Sequence, residues 1–209
     1  QPAGVAALFA PWNAPLALAS MQIASCLAFG NTCVLKPSEF TPVSVLKMVN
    51  LLEQAGLPPG TINVVNGSGT VTGAALASSP DINRIAFTGG SSTARHVMAA
   101  AANQLTPVHF DLGGKSANII FDDADFDRAL DGSLVNIFSN SVQICIAGSR
   151  ILVQRSIAAR FVAAFVERTQ ALKVGDPLDP ATEVGPMAFK THWQRVLDHI
   201  EKAKLEGAT

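Results

Sequence analysis

Short apolar runs alternate along this chain with longer stretches whose apolar residues recur at helical spacing. Val5–Ala10 is an unbroken apolar run closed by Pro11-Trp12-Asn13-Ala14-Pro15, and it predicts a buried strand. A buried helix follows to about Phe29, and Gly30-Asn31 turns the chain. Thr32–Leu35, Thr61–Val65, Arg84–Phe87 and Pro107–Asp111 read as further strands. Between them the spacing predicts a helix over Pro42–Gln54, stopped at Gly56, and a short helix through Leu76 after the turn Asn66-Gly67-Ser68-Gly69. Thr88-Gly89-Gly90-Ser91-Ser92 then leads into a helix that reaches about Ala102. Strands alternating with helices in this way predict an α/β fold, an open, mostly parallel twisted sheet with helices on both faces. Such sheets bind ligands at the carboxyl ends of their strands. In this reading Asn13, Lys36, Gly89 and Asp111 all lie just after strands, and they are expected to share one rim.

A Gly-Gly turn at Leu112-Gly113-Gly114-Lys115 separates this half from a second one. Beyond it come a strand over Ala117–Phe121, an amphipathic helix over Asp125–Phe138 and a short strand over Ile151–Val153. Helices over Ile157–Leu172 and Phe189–Leu205 complete the pattern. The turn marks the expected domain boundary, with residues 1–111 on one side and 112–209 on the other. Cys145 sits in the break between the Asp125 helix and the Ile151 strand, within Asn140–Arg150. A thiol held by two packed elements on an open loop suits a nucleophile. Buried inert cysteine is the competing reading, since unpaired cysteine is among the most buried residue types.

Composition narrows the partners. The 209 residues are 48% hydrophobic with a formal net charge of −1, and no basic run tracks a phosphate backbone, so nucleic acid is not expected. Ala14–Phe29 comes nearest to a membrane span, but Ser20, Gln22 and Ser25 interrupt it and no membrane partner is expected. The cysteines, Cys26, Cys33 and Cys145, are odd in number and lack metal-ligand spacing. They predict neither a disulfide framework nor a metal site, and point to a reducing compartment, the cytoplasm. The chain opens on Gln-Pro-Ala-Gly and stops inside a helical pattern, with no signal peptide. It reads as a piece of a longer protein, inactive and poorly soluble by itself.

The order of motifs carries more than any one of them. Pro11-Trp12-Asn13, Lys36-Pro37-Ser38-Glu39, Phe87-Thr88-Gly89, Leu112-Gly113-Gly114-Lys115 and Gln143-Ile144-Cys145 resemble, in that order and spacing, the aldehyde dehydrogenase superfamily. Gly113–Phe121 and Ala147–Arg150 look most like dehydrogenases of hydroxymuconic semialdehydes. The resemblance implies a Rossmann-like NAD-binding domain over 1–111 and part of a second α/β catalytic domain over 112–209. It implies oxidation of an aldehyde to a carboxylic acid with NAD, through a thiohemiacetal and a thioester on Cys145. Asn13 matches the amide that holds the oxyanion, and Asp111 the carboxylate that activates water. Lys36 and Glu39 match the adenosine-ribose contacts, with Glu39 favouring NAD over NADP. Gly89 and Gly90, opening the Ser91 helix, match a pyrophosphate site, and Trp12 and Leu112 count with the cofactor contacts. The implied partners are a small aldehyde and, for the full-length protein, further copies of itself.

Read without the family, Lys36 and Glu39 form a strand-end turn with solvated charges, and Gly89-Gly90 an ordinary strand-to-helix turn. Lys115 and Arg150 are read as structural, or as fixing the active-site loop. Four positions depart from the family pattern: Gly90 where serine is common, Ala94 where glycine is, Asp111 for glutamate and Val142 for the glycine of Gly-Gln-x-Cys. A valine that inherits a positive φ is strained. Asp111 and Val142 give weight to an alternative, a catalytically impaired relative that binds nucleotide or serves as a scaffold. A third reading, a cysteine hydrolase of Cys145, His109 and Asp111, leaves the nucleotide motifs unexplained.

Overall fold

The computed structural model describes residues 1–208 and divides into two compact units, Gln1–Gly113 and Gly114–Thr209. Five parallel strands build the first unit: β1 (Val5–Phe9), β2 (Thr32–Lys36), β3 (Ile62–Val64), β4 (Arg84–Gly89) and β5 (Val108–Leu112). Their order across the sheet is β3-β2-β1-β4-β5, so the chain steps outward from β1 in one direction and then in the other. The point of reversal lies between β1 and β4, and in open parallel sheets that crevice is where ligands bind.

Successive side chains of a strand point to opposite faces. Along β1, Ala6 and Leu8 join one buried cluster and Ala7 and Phe9 the other. A central parallel strand covered on both sides therefore reads as an unbroken apolar run. Helices α1 (Pro15–Ala28) and α2 (Val43–Gln54) cover the first face through Ala19, Ile23, Cys26, Val45 and Val49. On the other face lie α4 (Ser91–Ala102), through Ala94, Val97 and Ala101, and a helical stretch that opens as one π turn over Gly69–Gly73 and continues as α3 (Ala74–Ala77). Pro15 starts α1 at the position where a missing N–H costs nothing. Gly56 ends α2: with φ at 101° its N–H reaches the Glu53 carbonyl while the Leu57 N–H reaches that of Leu52, satisfying two end-of-helix acceptors.

The second unit is a βαβ unit with two further helices. Strands β6 (Ala117–Ile120) and β7 (Arg150–Val153) pair in parallel, joined through α5 (Phe126–Phe138). The Asp125 carboxylate caps α5 by accepting from the Arg128 N–H at 3.1 Å. Helix α6 (Arg155–Gln170) packs with α5 over the sheet around Ile120, Leu130 and Phe161, and α7 (Lys190–Leu205) follows. Phe161 lies between Phe126, met edge-on, and Phe165, met stacked.

The structure differs from the sequence reading at element ends. The ladder between β4 and β5 runs through Thr88↔Asp111 and Gly89↔Leu112. Gly89 is therefore the last residue of β4, and Lys36 is likewise the last of β2, where both were expected just beyond their strands; β5 continues one residue past Asp111, where the strand was expected to end. Helix α6 starts two residues before the expected Ile157, because Ser156 and Gln154 both donate to the Asp122 carboxylate and fix a polar first turn.

Candidate functional site

Around the reversal point the first unit gathers most of the sequence-predicted residues. The segment Ala10–Ala14 leaves β1 and carries Trp12 and Asn13, both half-buried, into α1. The Trp12 carbonyl accepts from the Thr41 hydroxyl at 3.2 Å, which ties this segment to the turn after β2. That turn holds Lys36 and Glu39. Lys36 is 5% exposed, its Nζ donating to the Pro37 carbonyl at 3.1 Å and lying 3.6 Å from Glu39 Oε2. The other carboxylate oxygen, Glu39 Oε1, accepts from the Gly69 N–H at 3.3 Å. Partial burial pushes the Glu39 carboxyl up, but its own backbone N–H, the Lys36 ammonium and the Gly69 N–H outweigh burial and hold it below its ordinary value. The buried ammonium and ionised carboxylate of this turn, with the Gly69 N–H brought in from the segment after β3, form a cradle able to hydrogen-bond a vicinal diol. Gly69, thirty residues from Glu39, was not foreseen as a partner; a glycine-rich turn opening a helix after a neighbouring strand was its one signal.

Across the crevice, Gly89 and Gly90 have different roles. Gly89 is a sheet residue, and a Cβ on it would stand 2.7 Å from Phe87 Cζ and 3.0 Å from Cε1. Gly90 alone precedes α4 as its cap, in extended conformation, with nothing within 4 Å of an added Cβ. No side chain caps the helix and its first turn carries no acidic residue, so its N–H groups and dipole favour an anion. The Gln22 amide joins the two sides: Nε2 donates to the Phe9 carbonyl at the end of β1 and to Thr88 Oγ1 near the end of β4, both at 3.0 Å. Sequence reading had placed Gln22 only as a polar interruption in a buried helix. His109 and Asp111 alternate on one exposed face of β5 and line, with Gln22 and Thr88, a groove of about 600 Å³. Leu112 follows half-buried at the strand's end.

Cys145 belongs to the second unit. It is half-buried and free, on the loop between α5 and β7. The turn before it is left-handed at three successive residues, Asn140 (φ 51°), Ser141 (φ 54°) and Val142 (φ 66°). The valine thus sits in the conformation that makes it strained there. Inside the turn, the Gln143 N–H and its Nε2 both donate to the Asn140 carbonyl at 3.1 Å. Downstream, Gly148 N–H donates to Asn136 Oδ1, and Arg150 Nε donates to the Lys115 carbonyl at 2.8 Å, bracing the strand that follows the loop. The other two thiols are shielded. Cys33 is fully buried, and burial first, with neighbouring Cys26 second, pushes it up to about 12; burial raises Cys26 as well. Among the described residues no cluster of three or more His, Cys, Asp or Glu is placed to hold a metal ion, and no helix is long and apolar enough to cross a membrane.

Known proteins resemble this chain over its whole length. The model of the aldehyde dehydrogenase family matches residues 1–209. A chloroplastic aminoaldehyde dehydrogenase of Arabidopsis thaliana is 44% identical over 209 residues, 100% of this chain and 42% of that protein. The 5-carboxymethyl-2-hydroxymuconate semialdehyde dehydrogenase of Escherichia coli is 46% identical over 209 residues, 100% of this chain and 44% of that protein. Betaine aldehyde dehydrogenase from Staphylococcus aureus, solved in complex with NAD+, superposes with a TM-score of 0.96 at 42% identity, over 100% of this chain and 42% of that one. The chain thus spans about four-tenths of the length of these relatives. A family model that matches from end to end, and relatives this similar over the whole chain, leave one conclusion: the chain belongs to the aldehyde dehydrogenase family.

Proposed function

We propose that the full-length protein oxidises a small aldehyde to a carboxylic acid with NAD, the first unit binding the cofactor and the second carrying the nucleophile. The observation that carries this reading is the crevice at the strand reversal, with a buried Lys36, an ionised Glu39 and an uncapped α4 around it. These residues fit a dinucleotide: the Lys36–Glu39–Gly69 cradle would hold the adenosine ribose, and the N-terminus of α4 the pyrophosphate. At Gly89, a Cβ would strike the Phe87 ring, so the strand end takes no side chain there. Bound there, NAD supplies the hydride acceptor.

The chain's own residues do the remainder. The Cys145 thiolate forms a C–S bond to the aldehyde carbon, and the carbonyl electrons move onto oxygen. The Asn13 amide and the Cys145 backbone N–H hold that oxyanion. Loss of hydride from the same carbon restores the C=O and leaves a thioester on Cys145. Asp111 takes a proton from water, the water oxygen bonds to the thioester carbon, and the C–S bond breaks to return the thiolate. Semialdehydes and amino-aldehydes, the substrate types named for the relatives above, are the class to try first.

A second reading has one observation in its favour, the left-handed φ at Val142 beside the nucleophile. It makes the protein a nucleotide-binding relative with impaired turnover. NADH formation on adding an aldehyde to full-length protein with NAD separates the two. Turnover lost in Cys145→Ala supports the oxidation; NAD binding without NADH formation in the wild type supports the second reading.

A further inference from the structure

Among the described residues four non-glycine residues have left-handed φ, and three of them are the consecutive Asn140, Ser141 and Val142. Asparagine visits this region readily; serine does so less, and a β-branched residue is an outlier there. Val142 is 45% exposed, so packing of its side chain does little to offset the strain. A conformation of this kind persists only where its surroundings over-determine it. The hydrogen bonds between Asn140 and Gln143 lie within the turn and travel with it. Two others reach far along the chain. Ser141 Oγ, on a residue only 7% exposed, donates to the Gly185 carbonyl at 2.9 Å. Gln143 Oε1 accepts from the Ala188 N–H at 2.9 Å. Both anchors fall in residues 185–188, a stretch without helix or strand that precedes α7. Water competes poorly for a bond at a buried hydroxyl, so the Ser141 tie holds better than an exposed one.

We propose that Ser141 and Gln143 are positioning residues, which hold the loop of Cys145 in its left-handed form by tying it to the 185–188 segment. The proposal rests on the reading of Cys145 as nucleophile for its consequence, though not for the tie itself. Released from the strut, the turn relaxes toward right-handed conformations and carries Cys145 with it, and a displacement of about 1 Å at a reacting atom costs on the order of a hundredfold in rate. Strain and strut are thus coupled: removing the strain removes the need for the strut.

The test uses the full-length protein with Ser141→Ala, Gln143→Ala and Gln143→Glu, the last keeping the oxygen that accepts from Ala188. Amide hydrogen exchange reads the tie whatever the reaction. Ser141→Ala and Gln143→Ala are expected to speed exchange in both 139–145 and 185–189, by about tenfold for the loss of one net hydrogen bond. Gln143→Glu is expected to leave 185–189 close to wild type. The first-turnover rate of NADH formation reads the consequence: it falls at least tenfold in the two alanine variants while NAD affinity is unchanged. Val142→Gly added to Ser141→Ala restores most of that rate, a rescue that general loss of stability would not give. Should Ser141→Ala not fold, the Gln143 pair decides alone. Faster exchange confined to 139–145, or no rescue by Val142→Gly, overturns the proposal. Absence of NADH in the wild type would overturn the proposed oxidation instead, while the exchange results still decide the strut.

Discussion

Gly89→Ala is a small change with a large expected effect. The added Cβ falls 2.7 Å from Phe87 Cζ, against a comfortable carbon–carbon separation of about 3.5 Å. The ring cannot swing aside cheaply. Phe87 is buried, with its centroid 5.9 Å from that of Phe9 and 6.0 Å from that of Phe110. The strand cannot shift freely either, since Gly89 pairs with Leu112 in the ladder. Overpacking of this kind costs about 1–3 kcal/mol, and replacing glycine returns about 0.4–1 kcal/mol through the unfolded chain. The net expectation is a loss of about 1–2 kcal/mol and weaker NAD binding, because the strain sits where β4 meets the cofactor crevice. The adjacent Gly90→Ser is the control for stability without NAD: it meets nothing within 4 Å and supplies a helix cap, so its unfolding free energy should stay within a few tenths of a kcal/mol of wild type. Urea unfolding of the full-length variants with and without NAD, together with calorimetric NAD titration, measures both effects. A Gly89→Ala protein with wild-type midpoint and affinity, or a Gly90→Ser protein equally destabilised without NAD, would refute the reasoning.

Further expectations concern charge and thiols. Glu39→Ala should narrow the preference for NAD over NADP in titrations of both; equal or tighter NADP binding by the wild type would contradict that role. Because the Glu39 carboxyl is held below its ordinary value, the discrimination present at neutral pH should survive as pH falls through the usual glutamate range. It should fade only when pH passes the lower folded value, and loss of discrimination centred on an unperturbed glutamate, about 4.3, would contradict this. Iodoacetamide labelling with peptide mapping should modify Cys145 first, since Cys26 and Cys33 are buried and their thiols shifted up; early label on either of those would count against the assignment.

Features set by local pattern were legible in the sequence, and those set by distant contacts were not. The unbroken run Val5–Ala10 announced a buried strand, and the apolar stretch that follows to about Phe29 announced the helix above it. Rim residues such as Asn13 and Lys36 could be named because strand ends are marked by proline and glycine. Partners could not be read in the same way. Glu39 bonds to Gly69 thirty residues on, and Ser141 and Gln143 to residues more than forty further along, distances at which no local periodicity operates. The cost of a side chain at position 89 depends on how the Phe87 ring lies, which spacing leaves open. At Val142 the sequence showed a missing glycine; that the backbone keeps the left-handed φ without it is a property of the folded loop.

The central claim is that Cys145 is acylated by the aldehyde and that Asp111 releases the product. Aspartate is one methylene shorter than the family's glutamate, so its carboxylate reaches about 1–1.5 Å less far on the same backbone. A general base must come within about 2.6–3.2 Å of its water, and an error of that size costs about a hundredfold. Rapid mixing of aldehyde with the full-length enzyme and NAD tests both halves at once. The account predicts a burst of NADH near one equivalent per site followed by a slow steady state. Asp111→Glu should accelerate the steady state with little change in the burst, and Cys145→Ala should show neither phase. NADH formation that persists in Cys145→Ala, or a wild type with no burst whose turnover falls in Asp111→Glu, would contradict it.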